Sequence, residues 1–390
     1  MTRSLFLASA GAAAACAAVG RRLCAQPVPD TGGTEKIFLK SCETVDVPSL
    51  PGKNKSLVKL TTTTGAIGYC KALGAAKDLE GIASVLRDIH LLDHDTLFGR
   101  LSKSGVSPAT LRIVDIACWD LHARMQGKPL HALLGTKREK ALRYGDVRGN
   151  QPGFDPKRYA DTVARYLQRT GLKATKLHFP GAMGTEDSIP IADVLATLRV
   201  VRETVGREPM LAWDPYPRSA ESATHDVGEA KEILALMADL RYAWIEGPLP
   251  PTPFETQIPK YVELMEVAKI RVQAEGPNSS IGDGTSFEAM KRWVEAGAVN
   301  QCSTDAYIAE GLTNAKRMLD YAVSHSERRL VINLHWGWAP HAHLAMAYDE
   351  SIVPAVEFVY NEEVPPSHFD KDGCLQAPDW PGIYPVGAGG

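Results

Sequence analysis

The stretch VINLHWGWAPHAHLAM, residues 331–346, begins as a buried β-strand and leads through a loop into a helix-like segment. The strand runs from Val331 to Leu334, and the next residue is a histidine, His335. A single histidine after a strand is usually a structural residue with hydrogen-bond partners. The same arrangement recurs along the chain, however, and the recurrence indicates both the fold and the place of the chemistry.

Residues 141–360 repeat a short apolar strand followed by a longer helix-like segment. The eight candidate strands lie in ALRYGDV, ATKLHF, PMLAWDPY, YAWIEGPL, IRVQAEGP, VNQCSTDA, RLVINLHWG and AVEFVY. Seven of them end on a carboxylate or an imidazole, at His178, Asp214, Glu246, Glu275, Asp305, His335 and Glu357, which are 22 to 36 positions apart. A strand–helix unit of about 30 residues is typical of a (β/α)8 barrel. Because the last spacing is the shortest, we predict an α/β fold with a TIM-type (β/α)7β barrel whose final helix is lost or replaced.

The polar residues that end these strands are expected to form an active site. In a TIM barrel the C-terminal ends of the strands meet at one mouth, where the chemistry collects. Buried charges without partners are unfavourable, so such residues need counter-charges or a metal ion. Seven polar ends in series therefore favour function over packing.

The segment before the barrel predicts a separate α+β domain at residues 34–140. Residues 35–80 are β-rich, with a hairpin around Gly65. The stretch SPATLRIVDIACWDLHARMQG then begins with a Ser-Pro start signal and ends at Gly127, which is typical of a helix. The barrel is expected at residues 141–360, and residues 361–390 follow it as a C-terminal segment.

The composition is that of a soluble globular protein. Of the 390 residues, 44% are hydrophobic and 23% are charged, and the formal net charge of −3 argues against nucleic-acid binding. No apolar run after residue 30 approaches the roughly 20 residues of a membrane helix. Five of the seven cysteines lie outside residues 1–26 and lack zinc spacing, so we expect free thiols.

Residues 1–26 have the pattern of an export signal. A basic start precedes an Ala-rich apolar middle, and the small residue Ala25 stands before Gln26. The stretch resembles a twin-arginine signal with Ser4 in place of the second arginine. We expect a periplasmic protein if this segment is a signal, and a cytoplasmic one if it is an uncleaved, disordered N-terminus.

Three carboxylates on consecutive predicted strands indicate a metal site. Asp214, Glu246 and Glu275 would repel one another at one mouth unless a cation lay between them. Hard oxygen ligands of this kind suit Mg²⁺, which keeps coordination positions open for a substrate. The alternative is that each carboxylate pairs with a nearby lysine or arginine.

A second set of residues is suited to proton transfer. Asp305 ends the strand before that of His335, and a carboxylate one strand away can hold an imidazole in one tautomer and raise its basicity. Lys176 and His178 are two positions apart and so point to the same face of their strand. Lys176 is expected to face the metal cluster or a substrate carboxylate, and Glu357 to face the same mouth. Such a set suits removal of a proton alpha to a carboxylate, with the metal ion stabilising the enediolate.

Several longer motifs are specific enough to indicate a family. They are DIACWDLHARMQGKPLHALLG before the barrel, WDPY, WIEGPLPP, QAEG, DAYIAEGLTNAKRM and HWGWAPHAHLAMA within it, and DGCLQAPDWPGIYP near the C-terminus. With these motifs the chain resembles the mandelate racemase subgroup of the enolase superfamily from about residue 35 to 385. The resemblance implies metal ligands at Asp214, Glu246 and Glu275, an acid/base dyad of His335 and Asp305, and an electrophilic or acid role for Glu357. It also implies that the α+β domain at residues 34–140 is a capping domain and that residues 361–390 return to it.

Three positions depart from the usual pattern of that family. His178 stands where the family often has the second lysine of a Lys-x-Lys motif, which here begins at Lys176. Tyr216 stands two positions after the first metal ligand, where asparagine or histidine is frequent. The segment GAIGYCKA lacks the glutamate that usually follows Gly-x-x-Gly. These departures leave the chemistry of the superfamily intact and bear on which substrate the protein takes.

The function expected from these features is a sugar-acid dehydratase, in which His335 or His178 removes the alpha proton. One alternative is a racemase or epimerase of a 2-hydroxy acid, with the two histidines on opposite faces of one carbon. An alternative from another class is a catalytically inactive sugar-acid binding protein.

The partner is expected to be a small-molecule carboxylate, and the protein is expected to be a homo-oligomer. Substrate contacts are predicted at Tyr216, at Trp336, and at Lys53 and Lys55 in the segment SLPGKNKSL. For that segment a plain surface turn is the alternative.

Overall fold

The computed structural model describes residues 36–51, 55–72, 79–149, 154–179, 190–215, 225–249, 254–274, 286–358 and 364–386. Within these ranges, a three-stranded antiparallel sheet with helices precedes a closed barrel of parallel strands. The export segment predicted at residues 1–26 lies outside the described residues.

The described part of the capping domain contains a meander of three strands together with four helices. The strands are β1 (Leu39–Asp46), β2 (Ser56–Thr62) and β3 (Ile67–Lys71), and the helices are α1 (Leu79–Val85), α2 (His94–Lys103), α3 (Pro108–Met125) and α4 (Leu130–Leu134). The predicted hairpin is confirmed, since β2 and β3 pair on either side of Gly65, whose φ is +85°. The predicted long helix is also confirmed: the Ser107 side chain accepts the Thr110 amide at 3.2 Å and caps α3.

Eight parallel strands of the described chain close into the barrel. They are β4 (Lys140–Arg148), β5 (Ala174–His178), β6 (Met210–Trp213), β7 (Trp244–Glu246), β8 (Arg271–Gln273), β9 (Gln301–Thr304), β10 (Val331–Leu334) and β11 (Val356–Glu357). Strand β11 pairs with β4 and closes the ring.

Within the same described ranges, seven α-helices alternate with these strands. They are α5 (Pro156–Thr170), α6 (Ile191–Val205), α7 (Val227–Asp239), α8 (Ile258–Met265), α9 (Phe287–Glu295), α10 (Gly311–Ser324) and α11 (Ala339–Ala347), with 3₁₀ turns at Phe254–Gln257, Ser326–Arg328 and Pro366–His368. The predicted (β/α)7β order is thereby confirmed. In place of a described eighth α-helix, the chain continues through the last 3₁₀ turn to β12 (Cys374–Gln376), which pairs antiparallel with β4.

The alternation of side chains along each strand directs the polar residues into the barrel. A small core cluster inside the ring consists of Tyr144, Ala174, Ala212, Trp244 and Ala355. Two positions further along their strands stand Asp146, Lys176, Asp214, Glu246 and Glu357. Because side chains two apart share a face, each polar residue lies directly above an apolar one. The ring therefore has an apolar floor and a charged mouth.

Strand register also brings polar residues on neighbouring strands together. Leu334 pairs with Thr304, so the residues that follow them, His335 and Asp305, are adjacent. Leu177 pairs with Trp213, which places His178 beside Asp214 in the same way.

The capping domain is held on the barrel by a carboxylate of α3. Asp115 is fully buried and accepts the backbone amide of Thr313 at 2.8 Å and its hydroxyl at 2.5 Å, in the first turn of α10. Gly311 begins that helix with a φ of +92°, and a Cβ there would lie 2.6 Å from Asp115 Oδ2. The glycine of the EGLTN motif is thus required by this close approach.

The next carboxylate of α3 fastens the C-terminal segment. Asp120 accepts the amides of Tyr69 at 2.8 Å and Ile383 at 2.5 Å, and it pairs with Arg124 at 2.6 Å. Arg124 in turn donates to the carbonyl of Tyr384 at 2.7 Å. These contacts give Asp120 and Arg124 of the WDLHAR motif a structural role. The domain limits stay predictions.

The described cysteines and helices agree with two expectations drawn from the sequence. None of the described cysteines, Cys42, Cys70, Cys118, Cys302 and Cys374, is joined to another in a disulfide bond, as predicted. Among the described residues, no helix is both long and apolar enough to cross a membrane.

Candidate active site

Lys176 of β5 lies at the centre of a charged cluster in the mouth of the barrel. Its Nζ is 3.3 Å from Asp214 Oδ2, 3.2 Å from Glu246 Oε2 and 3.5 Å from Glu357 Oε1. All four side chains are nearly fully buried. We call these four residues the Lys176 cluster.

Burial and charge act on the cluster in opposite directions. Burial alone would lower the pKa of Lys176, but Glu246, Glu357 and Asp214 raise it well above its usual value, so the ammonium is kept. Burial raises the pKa of Asp214 to about 6, with His178 opposing and Glu246 adding to the increase. One ammonium therefore offsets only part of the negative charge gathered here.

His178 lies between two carboxylates. Its Nε2 is 2.9 Å from Asp146 Oδ1, and its Nδ1 is 3.4 Å from Asp214 Oδ2. Asp146 also accepts from Arg148 Nε at 2.8 Å. Burial would raise the pKa of Asp146, but hydrogen bonding and the charges of His178 and Lys176 lower it to about 2. Asp146 was not among the predicted site residues, although it stands only two positions before the end of the first barrel strand, β4.

His335 and Asp305 form a direct contact across β9 and β10. His335 Nδ1 lies 2.9 Å from Asp305 Oδ2, and Trp338 Nε1 donates to the same oxygen at 2.9 Å. The other oxygen accepts the amides of Tyr307 at 2.8 Å and Ile308 at 3.2 Å. Although burial would raise the pKa of Asp305, these donors and the nearby histidines lower it, and the carboxylate stays ionised.

A third histidine, His341, holds the backbone next to both members of this pair. His341 is completely buried; its Nε2 accepts the amide of Ala306 at 3.0 Å and its Nδ1 donates to the carbonyl of Trp336 at 3.0 Å. Trp336 has a φ of +61°, which is rare for an aromatic residue and marks local strain. His341 therefore fixes both the residue after Asp305 and the residue after His335.

The remaining predicted site residues are distributed as follows. Glu357 accepts a hydrogen bond from Tyr144 at 3.3 Å and contacts Lys176. Trp336 stacks on Trp338 with ring centroids 5.6 Å apart, beside the His335 pair. Lys55 donates to the carbonyl of Leu50, within the capping domain. Lys53, Tyr216 and Glu275 lie outside the described residues.

The capping domain contributes one lysine to this region that was not predicted. Lys71 at the end of β3 is 4% exposed, and its Nζ lies 5.5 Å from the centroid of the Trp338 ring. The sequence signal for it is the segment GAIGYCKA, which departs from the family pattern and contains this lysine.

The described residues fit a magnesium ion in their donor chemistry. Asp214 and Glu246 bring buried carboxylate oxygens from neighbouring strands towards one point, and such oxygens are the ligands that Mg²⁺ prefers. No group of three or more metal-binding side chains occurs in the part of the chain that the structure describes, and Glu275 is outside it. Lys176 already neutralises part of the charge that the ion would meet.

Comparisons with known proteins agree with this geometry. Residues 158–383, more than half of the chain, match the family model described as enolase C-terminal domain-like. A curated relative, D-mannonate dehydratase of Xanthomonas oryzae pv. oryzicola, is 26% identical over 325 residues, which cover 72% of this chain and 72% of the relative.

Solved structures share the fold over nearly the whole chain. D-glucarate dehydratase from Agrobacterium tumefaciens, complexed with magnesium, aligns with a TM-score of 0.67 and 21% identity, covering 89% of this chain and 94% of that one. A mandelate racemase/muconate lactonizing protein from Paracoccus denitrificans aligns with a TM-score of 0.68, 21% identity and the same coverages.

Proposed function

The chain belongs to the enolase C-terminal domain-like family, and we propose that it dehydrates a sugar acid to a 2-keto-3-deoxy acid by first removing the proton alpha to the carboxylate. It is an enolase-superfamily enzyme of the mandelate racemase type, and therefore a lyase or an isomerase. The observation that carries the proposal is that one barrel mouth holds both the His335–Asp305 pair and the Lys176 cluster.

His335 is the proposed base. Because Nδ1 donates to the ionised Asp305, the lone pair of the neutral imidazole is on Nε2. In the first step the Cα–H bond breaks, the proton moves to Nε2, and the electron pair passes into the substrate carboxylate. In the second step the β C–O bond breaks, an acid protonates the departing hydroxide to give water, and the enol product tautomerises to the keto acid.

The Lys176 cluster is proposed to hold the reacting carboxylate. Asp214 and Glu246, with Glu275 as third ligand, would hold Mg²⁺. When bound, the ion would place positive charge next to the oxygens of the substrate carboxylate. The Lys176 ammonium adds a fixed positive charge next to the same place and stabilises the negative charge that develops. Glu357, which contacts Lys176 and Tyr144, is the proposed electrophilic or acid group. The magnesium bound in the D-glucarate dehydratase structure supports this choice of ion.

The test is a screen of a sugar-acid library with added Mg²⁺, in which 2-keto acid formation is measured. Keto acid from at least one substrate is the expected result, and the double variant His335→Asn/Asp305→Asn serves as the inactive control. Binding of several sugar acids without keto acid or proton exchange would favour the inactive binding protein instead.

A racemase or epimerase is the second candidate, because a second imidazole, His178, also lies at the mouth. In that reaction both histidines would exchange protons with one carbon from opposite faces. Incorporation of solvent deuterium with inversion at the alpha carbon, and without keto acid, would identify this activity. Burial would lower the pKa of His178, but Asp214 at 3.4 Å and Asp146 at 2.9 Å raise it, which makes His178 the weaker candidate for a neutral base and favours dehydration by His335.

Export through residues 1–26, assembly into a homo-oligomer, and substrate contacts of Lys53, Lys55, Tyr216 and Trp336 stay predictions.

A further inference from the structure

Tyr384 of the C-terminal segment reaches the surroundings of the proposed base through another tyrosine, Tyr307. Tyr307 lies in the loop between β9 and α10, two positions after Asp305. Its hydroxyl forms a hydrogen bond with the hydroxyl of Tyr384, and both residues are buried. The two tyrosines therefore join the C-terminal segment to the loop that follows Asp305.

Tyr307 bears on both oxygens of the Asp305 carboxylate. Its backbone amide donates to Oδ1 at 2.8 Å. Its ring meets the Trp338 ring edge-on, with the ring centroids 5.0 Å apart, and the indole of Trp338 donates to Oδ2 at 2.9 Å. The orientation of this carboxylate, and with it that of the His335 imidazole, therefore depends on where Tyr307 is held.

Tertiary contacts set the position of the Tyr307 ring. Residues 305–310 belong to neither a helix nor a strand. Segments of this kind open at a lower free energy than core elements, so a loop keeps one position where side-chain contacts hold it. The hydrogen bond between the hydroxyls of Tyr307 and Tyr384 is such a contact.

The capping domain holds Tyr384 in place at several points. Arg124 donates to the carbonyl of Tyr384 at 2.7 Å, and the amide of the preceding residue, Ile383, donates to Asp120 at 2.5 Å. The hydroxyl of Tyr384 also donates to Cys70 Sγ on β3 at 3.9 Å. Tyr384 therefore links α3 and β3 of the capping domain to the loop of the barrel.

We propose that Tyr384 is a positioning residue for the His335–Asp305 pair. It acts through Tyr307: the bond between the two hydroxyls fixes the loop, and the loop fixes the carboxylate. The carboxylate in turn fixes the tautomer and the direction of the imidazole. This inference rests on the proposed function in taking His335 as the base. It makes docking of the C-terminal segment a part of the assembly of the active site.

The test compares Tyr384→Phe and Tyr307→Phe, each of which removes one of the two hydroxyls, with the native protein. Tyr242→Phe is the matched control. Tyr242 is also buried, and its hydroxyl donates to the carbonyl of Leu198 at 2.9 Å. Because Tyr242 precedes β7, it lies at the end of the barrel opposite the mouth. Melting temperatures establish that every variant folds.

Two measurements report on the His335–Asp305 pair itself. With a sugar acid that is turned over, Tyr384→Phe should lower kcat by about 5-fold with KM nearly unchanged, which corresponds to about 1 kcal/mol for one buried hydrogen bond. Without substrate, proton NMR detects the Nδ1–H of His335, which is identified by its absence from His335→Asn. This proton should exchange with water about 5-fold faster in Tyr384→Phe.

The other variants separate this role from a general effect on the fold. Tyr307→Phe should behave like Tyr384→Phe, and the double variant should be little worse than the worse single one, because both changes remove the same bond. Tyr242→Phe should change neither kcat nor the exchange of the Nδ1–H proton.

A lower melting temperature alone, with kcat and the exchange of the Nδ1–H proton unchanged, would overturn the proposal and leave Tyr384 as a support of the fold. Losses that multiply in the double variant would also overturn it, because the two tyrosines would then act separately. If no sugar acid were turned over, the proposed dehydration would fail, and exchange of the Nδ1–H proton would still decide whether Tyr384 positions His335.

Discussion

The imidazole of His335 lies 2.9 Å from Oδ2 of Asp305, and the protein holds that carboxylate rigidly. Trp338 donates to Oδ2, and two backbone amides donate to Oδ1. A carboxylate with four donors stays ionised and cannot turn, so it orients the imidazole and fixes its tautomer.

The first prediction concerns this pair. His335→Asn removes the base and should lower kcat by about 10²–10⁴-fold, the usual contribution of a general base. Asp305→Asn should also lower kcat, because the imidazole loses its orientation. The double variant should be little worse than the worse single one, since the residues act as a unit. Exchange of the alpha proton in D₂O is the measurement. Normal exchange by His335→Asn would assign the base to His178 or Lys176.

The second prediction separates the two hydrogen bonds of His341. In His341→Asn the amide nitrogen can replace Nδ1 as donor to Trp336, and in His341→Gln the amide oxygen can replace Nε2 as acceptor from Ala306. Each variant should lower kcat by about 5-fold, with KM nearly unchanged, because one buried hydrogen bond is worth about 1 kcal/mol. His341→Leu should lose more than either. A loss confined to the melting temperature would show that His341 supports the fold alone.

The sequence was sufficient to predict the barrel and the strand-end residues, because both depend on short-range rules. Asp214, Glu246, Asp305 and His335 each follow an apolar run, and parallel strands bring such ends together. Lys71 could not be predicted in this way, since its position depends on how the capping domain packs on the barrel.

The roles of His341 and Asp115 also depend on tertiary contacts and could not be predicted from the sequence. His341 looks like one more residue of an apolar helix, and only the fold shows its ring between Ala306 and Trp336. Asp115 lies within a motif typical of the family, and only the fold shows that its role is to bind Thr313 of α10.

The third prediction concerns removal of the metal ion. EDTA should abolish turnover and lower the melting temperature, and Mg²⁺ should restore both. Because Lys176 already pairs with Asp214 and Glu246, the barrel should stay folded without the ion. Saturation at about 100 times Kd corresponds to about 2.7 kcal/mol of stabilisation. Glu246→Gln should lower this gain, whereas Glu263→Gln on α8 should not. Full activity in protein shown by elemental analysis to be metal-free would refute the magnesium assignment.

The last prediction is a loss of stability in acid that originates in the capping domain. His94 Nε2 and His122 Nδ1 are 3.0 Å apart, and His94 stacks on Trp119 with ring centroids 3.5 Å apart. Burial, and secondarily His90, lowers the pKa of His122 to about 4. Burial and the neighbouring cations lower the pKa of His94 as well. The unfolded chain therefore binds more protons than the folded chain between pH 6.5 and about 4. The stability that these histidines contribute is present above about pH 6.5 and is lost as the pH falls through that window.

The measurement is the urea midpoint of the native protein and of His122→Gln at about pH 7 and about pH 4.5. The native protein should lose about 2 kcal/mol more than the variant between these values, because the glutamine side chain does not titrate.

Comparing the two proteins is necessary, since Asp115 changes the stability with pH in the opposite direction. Burial raises its pKa to about 6, so its contribution to stability increases as the pH falls from about 6 towards its ordinary value of 3.8. That effect is common to both proteins and cancels in the difference. Equal losses in the two proteins would show that the buried histidine pair is not the acid-sensitive element, and the carboxylates of the barrel mouth would then be the groups to vary.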